Sequence, residues 1–262
     1  MITLYDNSFS PFARKVRMVL EHKGISHSVL DGLSLRNHDA LTQVNGRIEV
    51  PTLVHDGLVV VNSSDIIAYL ERVFPERPVY PAAAAQWVRA RAWERCADSV
   101  IDPILIDISY WGWAERPDRM PEGLLEAART DLSLIYDALE RELAGHDFLC
   151  GELSIADFAL FPHITAVRSL NVAFDPTRCP ALHDWLKRMR AIEVCARDLL
   201  RTKQYLASVN TLDVERKKIF WRGDRLEWLL ARGFHGWLMR EIEEGRVLWP
   251  GLGIPSQDRT SM

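Results

Sequence analysis

The stretch from Val50 to Asn62, VPTLVHDGLVVVN, constrains the fold more than any other part of the chain. Two apolar, β-branched runs flank His55-Asp56-Gly57, and Asp-Gly between such runs is a strong signal for a tight β-hairpin. Ser63 then opens a helix that has Ile66, Ile67 and Leu70 on its buried face. Upstream, Ile2-Thr3-Leu4-Tyr5 is a short apolar strand. Ser10-Pro11 reads as a helix start, with serine in the cap position and proline at the first helical position. Val16, Val19 and Leu20 recur at helical spacing up to a stop at Lys23-Gly24. Ser26 to Leu30 predicts a second strand, and Arg36 to Val44 either a short helix or an irregular loop. The predicted order for the first 80 residues is therefore β-α-β-α-β-β-α.

From about Ala82 the pattern changes. Residues 83–115, 121–144, 154–170 and 180–206 carry helical periodicity, interrupted by Pro117, Pro121, Gly145, Gly151, Pro176 and Pro180. The segment FPERPVYPAAAA, with prolines 75, 78 and 81, reads as the linker. The expected organisation is an α/β domain over 1–80, an all-helical domain over 81–206 and a C-terminal extension over 207–262. That extension holds four of the nine tryptophans, at 221, 228, 237 and 249. Two short helices separated by Arg232-Gly233 are expected there, with a disordered tip from Ser256 to Met262. Several tryptophans in one segment demand burial, first on their own subunit, with a lid over a cleft as the second option.

Composition narrows the function classes. A formal net charge of -4 gives no global attraction to nucleic acid or to anionic membrane. No basic-then-apolar leader is apparent, and no run approaches the roughly 18 apolar residues of a membrane span, so a cytoplasmic protein is expected. Cys96, Cys150, Cys179 and Cys195 are scattered without metal-like spacing and read as reduced thiols, so no metal is expected. Ser154-Ile155-Ala156-Asp157 is a capping box, a stability device.

Ser10-Pro11-Phe12-Ala13 has the outline of a Cys-Pro-x-Cys redox turn in which both thiols are absent, which excludes dithiol exchange by this turn. From spacing alone Ser10 is a helix cap, and Ser8 is a second hydroxyl nearby. Three ordered segments, SPFARKVRMVLEHKG, EVPTLVHDG with VVNSSDIIAYLE, and GELSIADFALFPHI, resemble the cytosolic glutathione transferase superfamily over roughly residues 1–200. The likeness is to serine-type tau-, zeta- and omega-like and bacterial members. It implies a thioredoxin-like glutathione-binding domain followed by an all-α domain, glutathione as cosubstrate, a homodimer and a role in detoxification.

The same resemblance assigns roles. Ser10 would donate a hydrogen bond that favours the thiolate of glutathione, whose thiol otherwise titrates at about 8.5. Val50 would offer its backbone to the cysteinyl unit beside a cis Pro51, and Asn62 and Ser63 would meet the γ-glutamyl end. Asp65 serves either the ligand's ammonium group or the helix start. Where the family often has Gln or Lys, Glu49 would repel the glycyl carboxylate; His38, Arg36 or Arg47 could compensate. Phe12, Tyr110, Trp111 and Trp113 are candidates for an apolar wall facing a small electrophilic second substrate, although aromatics at such spacing are more often core. The activity implied is conjugation of glutathione to small apolar electrophiles. The alternatives are a non-catalytic protein-binding module of the same fold, or a glutathione-dependent dehalogenase or ether-cleaving enzyme.

Overall fold

The computed structural model describes residues 1–208, 218–219 and 223–248. Its N-terminal order is β1 (Ile2–Asp6), α1 (Pro11–Lys23), β2 (His27–Asp31), α2 (His38–Asn45), β3 (Thr52–His55), β4 (Leu58–Val61) and α3 (Ser63–Val73). The ambiguous stretch before Val44 is a 3-10 turn at Leu35–Asn37 that runs into α2. The strands form one sheet in the order β2-β1-β3-β4. β1 pairs parallel with β2 and antiparallel with β3, which pairs antiparallel with β4. At the hairpin, Asp56 and Gly57 both have positive φ, 49° and 87°, the geometry that matches strand twist in a two-residue turn. Ile2, Leu4 and Leu53 of the sheet are buried together with Val16, Val19 and Leu20 of α1 and Ile66, Ile67 and Leu70 of α3.

The helical body begins at Tyr80. It contains α4 (Ala84–Cys96), a π-helical turn at Ala97–Ile101, α5 (Asp102–Trp113), α6 (Leu124–Leu143), α7 (Ile155–Ala166) and α8 (Pro180–Ala191). The helix expected over 180–206 is two helices, because Ile192 adopts extended backbone at ψ 126°. The second of them, α9 (Glu193–Ser208), groups with the N-terminal body. A buried ion network supplies the reason. Asp198 on α9 is 0% exposed and accepts from Arg14 Nη2 at 2.7 Å and from Arg17 Nη2 at 2.7 Å. Arg17 also pairs with Asp6 at the end of β1. A buried charge is tolerated only when paired, so these four side chains must stay together. Burial pushes the Asp198 carboxyl up, but the two guanidiniums outweigh it and hold it below its ordinary value.

The extension forms the two expected short helices, α10 (Gly223–Ala231) and α11 (His235–Glu243), and both belong to the helical body. Trp228 Nε1 donates to Asp131 at 3.1 Å, and Trp237 is buried against the rings of Tyr110 and Trp111, with centroids 5.8 and 5.0 Å away. These two tryptophans are thus covered by their own helical body. Trp221, Trp249 and the tip from Ser256 to Met262 lie outside the described residues. Among the described residues no helix is long and apolar enough to cross a membrane.

Candidate active site

Sheet register brings the singled-out polar residues to one end of the N-terminal body. Asp6 pairs with Asp31, Tyr5 with Thr52 and Thr52 with Val61. The last residues of β1, β2 and β4 and the first of β3 therefore share one edge. From that edge leave the connections carrying Ser10, His38, Val50-Pro51 and Asn62-Ser63. Ala13 on the first turn of α1 packs with Leu41 of α2 and with Val50, which draws α1, α2 and the β3 entry together. Gly32 is required at this junction, since a Cβ there would lie 2.5 Å from Val50 Cγ1.

Ser10 is the N-cap of α1, and its Oγ accepts from Ala13 N at 3.3 Å. Capping uses a lone pair and leaves the hydroxyl proton for another acceptor, so the cap does not preclude the activator role expected of Ser10. The side chain is half-buried at the positive end of the helix, where an anion is favoured. The loop before it is set by Asn7, which sequence reasoning did not single out. Asn7 is 3% exposed, and its backbone oxygen accepts from Ser10 N at 3.0 Å.

The Val50–Pro51 peptide is cis. Its approach is braced by a second overlooked asparagine. Buried Asn45, at the end of α2, donates to the Glu49 carbonyl at 3.0 Å and to Thr52 Oγ1 at 2.8 Å. Thr52 Oγ1 in turn donates to the Glu49 carbonyl at 3.1 Å. Glu49 itself is answered within the loop, because Arg47 Nη1 lies 2.8 Å from its Oε2. The repulsion expected of Glu49 toward an anionic ligand is offset by that neighbouring cation. His38 is half-buried, and its Nε2 lies 3.1 Å from the Leu33 carbonyl. That contact fixes Nε2–H as the donor in the neutral ring and leaves Nδ1 as the acceptor. Arg36 is exposed and donates to Ser34 Oγ at 3.2 Å.

At the start of α3, Asn62 sits at φ 65°, sparsely populated for a side-chain-bearing residue. Its amide donates to Asp65 Oδ2 at 3.2 Å and makes no cap bond to the helix. Ser63 is 1% exposed, and its Oγ has no hydrogen-bond partner among the described residues. Buried hydroxyls are normally satisfied, so an orphaned one at a helix start fits a ligand that supplies an acceptor.

Of the four residues expected to form an apolar wall, Phe12, Tyr110 and Trp111 are buried and Trp113 is half-buried. Tyr110 and Trp111 are 0% and 1% exposed and lie in the core of the helical body. Tyr110 donates to Glu241 Oε2 at 3.1 Å, and its ring meets Trp113 edge-on at 4.8 Å. Burial, then the Glu241 carboxylate, pushes the Tyr110 phenol up to about 12. The resemblance suggested a cleft wall, but Tyr110 and Trp111 follow the periodicity of a core helix and pack against Trp237 of α11. Phe12, at the second position of α1, is also buried. Among the described residues no three His, Cys, Asp or Glu side chains are placed to hold a metal ion.

Residues 4–78 match the family model "Glutathione S-transferase, N-terminal domain", and residues 122–188 match "Glutathione S-transferase, C-terminal domain". Together these cover more than half of the chain. Glutathione S-transferase U6 of Arabidopsis thaliana is 24% identical over 78% of this chain and 91% of its own length. Among solved structures, the β-etherase LigF from Sphingobium sp. strain SYK-6 superimposes with a TM-score of 0.64 at 23% identity, covering 76% of this chain and 99% of that one. Ure2p5 from Phanerochaete chrysosporium, cocrystallised with 1-(S-glutathionyl)-2,4-dinitrobenzene, gives 0.68 at 20% identity, over 79% of this chain and 96% of that one.

Proposed function

The chain belongs to the glutathione S-transferase superfamily, and from that premise we propose that it joins glutathione to small apolar electrophiles, with Ser10 holding the sulfur as thiolate. The observation that carries this reading is the shared sheet edge. It presents a half-buried hydroxyl at the start of α1, a cis-proline entry into β3 and an unsatisfied hydroxyl at the start of α3. Each suits one part of a γ-glutamyl tripeptide. Ser63 Oγ and the opening of α3 bind the γ-glutamyl carboxylate, and the Val50 backbone pairs with the cysteinyl unit. His38, the first residue of α2, stands at the end of the β2–α2 connection for the glycyl end, with Arg47 neutralising Glu49. Ser10 donates to the sulfur, and the α1 dipole adds to the same effect.

Glutathione supplies the nucleophile; the chain supplies orientation and a lower thiol pKa. Ser10→Ala should reduce kcat/KM for 1-chloro-2,4-dinitrobenzene about a hundredfold at neutral pH. An unchanged rate would remove Ser10 from the reaction. The likeness to a β-etherase motivates a second reading, thiolate attack that displaces a phenol from an aryl ether. Phenol release from a β-aryl ether, assayed beside chloride release from the dinitrobenzene, separates the two. A homodimer and a detoxification role accompany the first reading.

A further inference from the structure

A hydroxyl that tunes a thiol has to be held to a fraction of an ångström, because small misplacements cost large factors in rate. Asn7, Ser8, Phe9 and Ser10 connect β1 to α1, and Phe9 is 39% exposed, so apolar burial does not by itself fix this loop. The Asn7 amide does. Its Oδ1 accepts from Phe9 N at 2.8 Å, while its Nδ2 donates to Asp31 Oδ1 at 2.9 Å and to Tyr205 Oη at 2.7 Å. With both ends of the amide engaged, the side chain has one orientation, and its backbone oxygen receives the Ser10 N–H at 3.0 Å.

The anchors extend the tie. Asp31 Oδ1 also accepts from Leu33 N at 3.1 Å, and the Asp31 carbonyl accepts from Asn37 Nδ2 at 2.7 Å. The Leu33 carbonyl in turn holds His38 at 3.1 Å. Hydrogen bonds linked through the Leu33 backbone thus join the loop of Ser10, at the thiol end, to His38, at the glycyl end. Tyr205 closes the network from α9. Its ring lies edge-on to Phe9 with centroids 5.0 Å apart, and its hydroxyl accepts from Asn7 Nδ2 at 2.7 Å. Burial, then Asp31, pushes the Tyr205 phenol up to about 12, so the hydroxyl that accepts from Asn7 stays neutral across the working range.

We propose that Asn7 is a positioning residue that sets the Ser10 hydroxyl against the glutathione thiol by tying the β1–α1 connection to the β2–α2 connection and to α9. The proposal rests on the reading of Ser10 given above. Only an amide meets the demand at this position, one acceptor toward Phe9 N and two donors toward Asp31 and Tyr205. An aspartate would set two carboxylates against each other.

The test is a pH titration of the glutathione thiol bound to wild type, Asn7→Ala, Ser10→Ala and the double variant, followed by the ultraviolet absorbance of the thiolate. Conjugation of 1-chloro-2,4-dinitrobenzene is measured in parallel. Asn7→Ala should raise the apparent thiol pKa by roughly one unit and lower kcat/KM about tenfold at neutral pH. In the Ser10→Ala background the same substitution should change neither quantity, because Asn7 acts through Ser10. An unmoved thiol pKa in Asn7→Ala, or a full additional loss in the double variant, overturns the proposal while leaving Ser10 in place. A Ser10→Ala protein with wild-type thiol pKa and rate brings down the Ser10 reading and this one with it. Should Asn7→Ala fail to fold, Tyr205→Phe decides. It keeps the ring against Phe9, removes the hydroxyl, and should raise the thiol pKa by about half a unit, a threefold loss of thiolate; no shift there overturns the proposal.

Discussion

Two helices in this molecule begin at a buried serine, and they treat it in opposite ways. At the start of α7, Ser154 is 1% exposed and closed off completely by Asp157. That carboxylate accepts from Ser154 N and Oγ, both at 3.0 Å, from Leu149 N at 3.2 Å and from Trp185 Nε1 at 2.8 Å. At the start of α3, Ser63 is equally buried and its hydroxyl has no partner among the described residues. Leaving such a group unsatisfied costs about 1–3 kcal/mol. The helical body uses its helix start for stability; the N-terminal body leaves one open at the sheet edge where Ser10 and cis-Pro51 also stand. Similar local sequence therefore serves folding in one place and, on the reading proposed above, ligand binding in the other, and hydrogen-bond satisfaction separates the two.

The largest expected effect belongs to the closed start. Asp157→Ala strands three buried N–H donors and should destabilise the protein by about 4 kcal/mol in urea unfolding, with turnover per folded molecule unchanged. A loss under about 1 kcal/mol would break the contrast from that side. Next comes Gly32→Ala, which drives a methyl into Val50 and should cost about 2 kcal/mol while weakening glutathione binding, since Val50 moves with it. Thermal melts beside binding isotherms check both halves. Ser63→Ala follows and carries the opposite sign. It removes an unsatisfied group, so stability should hold or rise slightly, while glutathione affinity falls about tenfold, or about 1.4 kcal/mol. A stability loss like that of a helix cap would mean that Ser63 is a cap after all.

A pH-dependent effect extends the closed class to α11. Glu241 is 2% exposed and accepts from Arg246, Arg116 and Tyr110. Burial pushes its carboxyl up, but those three donors outweigh it and hold it down at about 2, against an ordinary 4.5. A depressed folded-state pKa means stabilisation present above 4.5 and lost as pH falls toward 2. The difference in stability between wild type and Glu241→Gln should therefore be full near neutrality, shrink below pH 4.5 and vanish near pH 2. A pH-independent difference would show that the carboxylate's charge is not what binds α11 to Tyr110.

The strand and helix order was legible because its signals are local: the Asp-Gly turn, the Ser-Pro helix start and the apolar spacing of α1 and α3. Ser10 and Ser63 were legible as helix starts for the same reason, whereas the site roles proposed for them and for Pro51 came from the family resemblance, not from local chemistry. Asn7 and Asn45 were not legible, since nothing in their neighbourhoods reveals that Asp31, Tyr205 or the Glu49 carbonyl will stand opposite them. The placement of α9 escaped for a related reason. Arg14, Arg17 and Asp198 look like solvated charges in sequence and become an interior ion network only when α1 and α9 meet. Tyr110 and Trp111 show the converse, since aromatic periodicity marks a buried face without saying whether a cleft or a helix covers it.

The central claim is that Ser63 and Ser10 divide the work, one binding the tripeptide and the other its sulfur. Calorimetric titration of glutathione at neutral pH into wild type, Ser63→Ala and Ser10→Ala tests it most directly, with the thiol's ionisation read from ultraviolet absorbance in the same samples. Binding by wild type should weaken about tenfold in Ser63→Ala and stay within about twofold in Ser10→Ala, where the bound thiol remains protonated. A folded wild-type protein that binds no glutathione, or a Ser10→Ala protein that still ionises it, would contradict the account.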